Sequence, residues 1–205
     1  VAEALRAFPA DQIAIYPEYD GLREAVIRNL QASPAGLTHV LLPQQVGLFN
    51  GVDAAIHAVI HAYGAPEDTL LTTSPTFGYY APCAGMQGMV VEAVPHALPG
   101  FRFPLQQIRD ALERRPRILM LCNPNNPTGT RLSVEHVLQL AASAPDTLVV
   151  VDELYEAFTG DSVFPTIDFG LHSNLLVLRS LAKTSGLAGL RLSLIHISEP
   201  TRLVS

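Results

Sequence analysis

Lys183 is the one lysine of a chain that carries twelve arginines. Arginine stays protonated in proteins, whereas a desolvated lysine amine can lose its proton and attack a carbonyl to form an imine. A lone lysine can equally be a leftover surface charge, so its neighbourhood has to decide. Three polar clusters each follow an apolar run: Asn123-Pro124-Asn125-Asn126-Pro127-Thr128-Gly129, Asp152-Glu153-Leu154-Tyr155 and Ser180-Leu181-Ala182-Lys183. Taken singly, Asp152 would be a helix N-cap after a strand and Asn126, before Pro127, a turn residue.

The elements that must position these groups are legible as short β-branched runs alternating with amphipathic stretches of helical length. Strands are expected at Thr38–Leu42, Thr69–Thr73, Met89–Val94, Arg117–Cys122, Thr147–Val151 and Asn174–Arg179. Helices are expected at Gly51–Tyr63, Phe77–Gly85, Leu105–Arg114 and Ser133–Ser143, the last opened by Ser133 as N-cap. That alternation predicts an α/β domain with a mostly parallel sheet. Ligands of such sheets gather outside the carboxyl ends of the strands, where all three clusters fall.

With 205 residues, 48% hydrophobic and 16% charged, the chain can bury one sizeable core. A net charge of −6 leaves no basic footprint for nucleic acid or an anionic membrane. No apolar run reaches bilayer length and no segment has the features of a secretory signal, so a soluble cytoplasmic protein is expected. Cys83 and Cys122 do not make a disulfide framework and read as small buried hydrophobes. His57 and His61 have the i, i+4 spacing of a metal pair but lack the Glu of the zinc-protease motif. They read as core or surface histidines, with no metal expected.

The ordered set 123–129, Asp152-x-x-Tyr155 and Lys183, followed eight residues later by Arg191, resembles the fold type I, class I/II aminotransferases that use pyridoxal phosphate. Leu121–Thr130 and Gly186-Leu187-Ala188-Gly189-Leu190-Arg191-Leu192 are most similar to the histidinol-phosphate aminotransferases among them. The resemblance implies a three-layer α/β/α large domain over 16–192, an incomplete N-terminal segment over 1–15 and a small domain largely missing. Residues 193–205 resemble a translated sequencing adaptor, and are set aside as a non-native tail.

The same resemblance implies roles. Lys183 would hold pyridoxal 5'-phosphate as an internal aldimine and, once freed, move a proton between the substrate Cα and the cofactor, as nucleophile and general acid/base. Asp152 would keep the pyridine nitrogen protonated, and Asn126 and Tyr155 would hydrogen-bond the phenolate oxygen. Arg191, Ser180 and the helix opening at Gly51, Val52 and Asp53 would hold the phosphate. Phe77 would stack on the ring, and Tyr16 would reach the phosphate of a neighbouring subunit, which implies a homodimer.

Three positions depart from the family pattern and bear on phosphate affinity. Ala182 replaces a frequent hydroxyl residue, Ser185 a frequent aromatic, and Phe49-Asn50-Gly51-Val52-Asp53 the usual phosphate loop. The expected reaction is transfer of an amino group from a small-molecule donor such as L-histidinol phosphate to a keto acid such as 2-oxoglutarate, in histidine biosynthesis. A decarboxylase of the same fold, acting on an amino-acid phosphate, or a cofactor-binding regulatory module without turnover would share the cofactor residues.

Overall fold

The alternating runs fold into one seven-stranded sheet in the computed structural model of the protein, which describes residues 2–11, 21–32, 40–168, 170–183, 188 and 193–196. The strands are β1 (Val46–Phe49), β2 (Thr69–Ser74), β3 (Val90–Pro95), β4 (Ile118–Cys122), β5 (Leu148–Asp152), β6 (Leu175–Ser180) and β7 (Ser193–His196). Their spatial order is β1-β7-β6-β5-β4-β2-β3. The pairs from β3 to β6 are parallel, and β7 runs antiparallel to both β6 and β1.

The described helices are α1 (Ala2–Arg6), α2 (Leu22–Gln31), α3 (Val52–Tyr63), α4 (Tyr80–Met86), α5 (Leu105–Leu112) and α6 (Val134–Ser143). Apolar residues recur at helical spacing, so each long helix buries one stripe. In α3 that stripe is Val52, Ala55, Ile56, Val59 and Ile60; in α6 it is Val137, Leu140 and Ala141. Two core clusters result, one on each face of the sheet. α3 and α4 pack on one side with Ile118, Met120, Val150 and Leu178. Helices α2, α5 and α6 pack on the other with Leu119, Leu121, Val149 and Val177. Each fully buried Leu or Ile contributes about 1.5–3 kcal/mol of transfer free energy. The expected three layers are observed.

Ser133 caps α6 as expected, its hydroxyl accepting from the His136 N–H at 3.3 Å. The expected helix from Phe77 starts instead at Tyr80, because Phe77–Tyr79 form a turn closed by the Tyr80 N–H on the Phe77 carbonyl at 3.5 Å. The strand expected at Thr38–Leu42 is corrected. Thr38 and His39 lie outside the described residues, Val40–Leu42 form no strand, and Pro43 opens a 3-10 turn there. A proline has a fixed φ and no N–H to give a ladder, so pairing starts beyond it at Val46. Helix α2, for which no element was expected, buries Val26, Ile27 and Leu30. Ser193–His196, set aside above, form β7 inside the sheet.

β2 is followed in sequence by β3 on one side of it and then by β4 on the other. The chain therefore reverses direction between β2 and β4, and a crevice opens beyond the carboxyl ends of these strands. The segments leaving β2 and β4, 75–79 and 123–129, meet there.

Candidate active site

Alternation along the strands assigns each functional group to a face. On β4 and β5, Ile118, Met120, Cys122, Leu148 and Val150 belong to the cluster under α3 and α4, so Asp152, two residues beyond Val150, faces the same way. Cys122 stands opposite Asp152 in register, and Asp152 opposite Leu178. The Asp152 carboxyl is 1% exposed. Its Oδ2 accepts from the Tyr80 hydroxyl at 2.7 Å and its Oδ1 from the Leu154 N–H at 3.1 Å.

The three asparagines after β4 divide the work of their loop. Asn123 exchanges two hydrogen bonds with the Leu132 backbone, each 2.9 Å, and so closes the loop at its base. Asn125 donates to the Pro75 carbonyl at 2.9 Å and accepts from Thr76 Oγ1 at 2.8 Å, which joins the ends of β4 and β2. Gly129, at φ 69°, lets the loop turn back so that its N–H reaches the Asn125 carbonyl at 2.8 Å. Asn126 is left to project, half-buried, and its Nδ2 donates to Tyr155 Oη at 3.4 Å.

Lys183 is exposed, with Nζ 5.9 Å from the centroid of the Tyr155 ring. Between β6 and Lys183, Ser180 Oγ accepts from the Ala182 N–H at 3.0 Å and bends the chain. Across the crevice, Phe77 is half-buried and packs edge-to-face with Tyr80, ring centroids 5.5 Å apart. Gly51 has φ 88° and ψ 160°, a conformation L side chains rarely adopt. The first intrahelical bond of α3 runs from the Ala55 N–H to the Gly51 carbonyl. The N–H groups of Val52, Asp53 and Ala54 thus face out of the helix start, the geometry that suits an anion.

The structure therefore gathers Asp152, Asn126, Tyr155 and Lys183, with Phe77 across from them. Tyr16, Ser185 and Arg191 lie outside the described residues. His57 and His61 stack face to face at 6.0 Å on α3, one 3.7 Å from Cys83 Sγ, the other 3.1 Å from Gln87 Oε1. No group of three or more metal-ligating side chains occurs among the described residues. Cys83 and Cys122 are both free and buried, as expected.

Tyr80 carried no role in the sequence reading, although a buried tyrosine generally needs a partner for its hydroxyl. Glu153 and Arg179 were likewise passed over. Glu153 faces the opposite side of the sheet from Asp152, accepting from Ser162 Oγ at 2.6 Å and the Val163 N–H at 2.7 Å, with Arg179 Nε 3.7 Å away. Arg179 also pairs with Glu156 and lies 5.8 Å over the Phe164 ring. A second acid inside the Asp-x-x-Tyr motif was the available signal.

Burial pushes the Asp152 carboxyl up to about 6, against the pull of its bonds from Tyr80 and Leu154, and the nearby charge of Asp53 adds to the rise. Burial pushes the Cys122 thiol up to about 12, so it stays protonated. The Tyr80 phenol is raised well above its ordinary range by burial first and by the Asp152 charge next, which keeps it a donor. The charged side chain that acts on Asp152 is thus another acid, and a cationic ligand group placed there would offset the burial of its carboxylate.

A parallel sheet with helices on both faces, and a lysine, carboxylate, phenol and amide at its carboxyl edge, match one family. The model for aminotransferase class I and II fits residues 1–205, and the chain belongs to this family. Among its relatives, the histidinol-phosphate aminotransferase of Caldanaerobacter subterraneus subsp. tengcongensis is 33% identical over 182 residues, 87% of this chain and 48% of the relative. The histidinol-phosphate aminotransferase of Stenotrophomonas maltophilia is 34% identical over 195 residues, 93% of this chain and 52% of the relative. The fold is that of the crystal structure of the Sinorhizobium meliloti histidinol-phosphate aminotransferase in complex with pyridoxal-5'-phosphate. The TM-score is 0.78 at 24% identity, over 92% of this chain and 50% of that one. The chain spans about half the length of the curated relatives it matches. No helix among the described residues is long and apolar enough to cross a membrane.

Proposed function

We propose that the protein is a pyridoxal 5'-phosphate-dependent aminotransferase that moves an amino group from L-histidinol phosphate to a keto acid such as 2-oxoglutarate. One observation carries the reading. Asp152 is a buried carboxylate with neutral donors and an acidic neighbour, at the edge where Asn126, Tyr155 and Lys183 converge. A protonated pyridine nitrogen fits that deficit. The names of the relatives and the 123–129 motif support the donor.

Bound there, the cofactor supplies an aldehyde for the amino group and an electron-withdrawing ring. Asp152 holds the ring nitrogen protonated. The Asn126 amide and Tyr155 hydroxyl donate to the phenolic oxygen, and Phe77 packs on the ring face. Gly51, Val52 and Asp53 offer backbone N–H groups to the phosphate, joined by Ser180 and Arg191. Lys183 would hold the cofactor through its amine and, when free, would carry the proton from the substrate Cα. Tyr16 completes the phosphate site of a second subunit in a cytoplasmic homodimer. Residues 16–192 make up the cofactor-binding domain.

Borohydride reduction of the full-length protein loaded with pyridoxal phosphate, followed by peptide mapping, tests the covalent role. The expected label sits on Lys183; cofactor bound with Lys183 unlabelled overturns it. Keto-acid-dependent amino transfer supports the aminotransferase, and release of carbon dioxide instead would establish the decarboxylase.

A further inference from the structure

Tyr80 has no part in the function proposed above, yet it touches two of the groups on which that function rests. It opens α4, three residues after Phe77, and its side chain is 0% exposed. Its hydroxyl donates to Asp152 Oδ2 at 2.7 Å, a contact between residues 72 apart in the chain. The same ring packs edge-to-face with Phe77 at an interplanar angle of 76°. A buried phenol donating to a carboxylate stabilises the ionised acid and fixes its rotamer. The Leu154 N–H holds the other oxygen, so the carboxylate plane is set from both sides. An edge-to-face ring contact sets the tilt of Phe77 in turn.

We infer that Tyr80 is a positioning residue, holding with one side chain both the Asp152 carboxylate and the Phe77 ring, the groups assigned to the cofactor's ring nitrogen and ring face. The inference rests on those two assignments. The ionisable groups that act on Asp152 from the packed elements are Tyr80 on α4, Cys122 on β4 and Asp53 on α3. Tyr80 lowers the affinity of Asp152 for a proton, whereas Asp53 and burial raise it.

The two halves of the role separate by substitution in the full-length protein. Tyr80→Phe keeps the ring against Phe77 and deletes only the hydroxyl; Tyr80→Leu removes both. Affinity for pyridoxal phosphate, followed by fluorescence of the cofactor-free protein against pH, reads the ionisation of Asp152 without turnover. With Tyr80→Phe the rise in affinity moves to higher pH, kcat falls about tenfold, and KM for the amino donor stays close to wild type, the loss of one hydrogen bond to a charged group. Tyr80→Leu weakens cofactor binding further, and Tyr80→Phe alone decides the hydroxyl if the leucine variant does not fold.

In an Asp152→Asn background, Tyr80→Phe adds no further loss of cofactor affinity. A Tyr80→Phe protein with a lower melting temperature but unchanged pH dependence and kcat would make the residue merely structural and overturn the inference. An equal loss of affinity with and without Asp152 would overturn it as well. Full activity of Asp152→Asn would instead remove the assignment beneath it, and both readings would fall together.

Discussion

Asp152 and Glu153 are neighbours in the chain and opposites in circumstance. Both are 1% exposed, but strand alternation turns them to different faces of the sheet. Glu153 is surrounded by its own remedy: Ser162, the Val163 N–H and the Arg179 guanidinium all address its carboxylate. Asp152 has two neutral donors and another acid nearby. Under α2, α5 and α6 the acid therefore has a cation beside it, whereas no cationic side chain among the described residues acts on Asp152 under α3 and α4, and burial raises both carboxyls above their ordinary range. A buried acid without a counter-charge of its own is a candidate to receive one from a ligand, whereas an acid paired inside the fold is not.

The contrast breaks most sharply by exchanging what each acid loses. Asp152→Asn is expected to lower kcat of the full-length protein roughly a thousandfold, the scale seen when a preorganised active-site group is removed. Folding stability should not fall, since the amide oxygen can still accept from Tyr80. Steady-state kinetics beside urea denaturation measure both, and a variant that unfolds without losing turnover would reverse the assignment. Glu153→Ala is expected to do the converse. It costs about 2 kcal/mol of stability by leaving the Val163 N–H and the Ser162 hydroxyl without their acceptor, while Arg179 keeps Glu156, and leaves cofactor affinity within a few-fold of wild type provided the folded fraction is corrected for.

A smaller effect sharpens the comparison. Burial raises Asp152 from 3.8 to about 6 and Glu153 from 4.5 to about 7. Between the unfolded and folded values the native cofactor-free protein holds protons that the unfolded chain has released. Its stability is accordingly highest below about pH 4 as far as these two groups are concerned, and falls as pH rises toward about 7. Urea midpoints at about pH 5 and about pH 7.5 should show the decline. Glu153→Gln should flatten the upper part of that slope, and saturation with pyridoxal phosphate the part due to Asp152.

How much of this was legible in the chain follows from how local each cause is. Ser133 announces α6 because a cap needs only the residues it precedes. The buried strands β4 and β5 announce themselves by continuous apolar runs, and the polar clusters after them by position. β1 did not, since Val46–Phe49 contains a glycine and becomes a strand only through a partner near residue 195. The charge difference between Asp152 and Glu153 was equally hidden. It depends on Tyr80 and Arg179, which the fold brings from 72 residues upstream and from the end of the next strand. Adjacent acids look alike until the sheet separates them.

The insertion of β7 between β1 and β6 sets a timetable for the chain. Val46 pairs with His196 and Phe49 with Ser193, partners separated by about 150 residues, a high contact order. During synthesis the sheet from β2 to β6 can form as its strands emerge, but β1 has no neighbour to bond until β7 has left the ribosome. The turn at Gly51 and the start of α3 follow directly from β1, so the corner proposed for the phosphate waits on β7. A nascent chain halted after β6 would carry Asp152, Asn126 and Tyr155 in place, with the corner at Gly51 still unfastened.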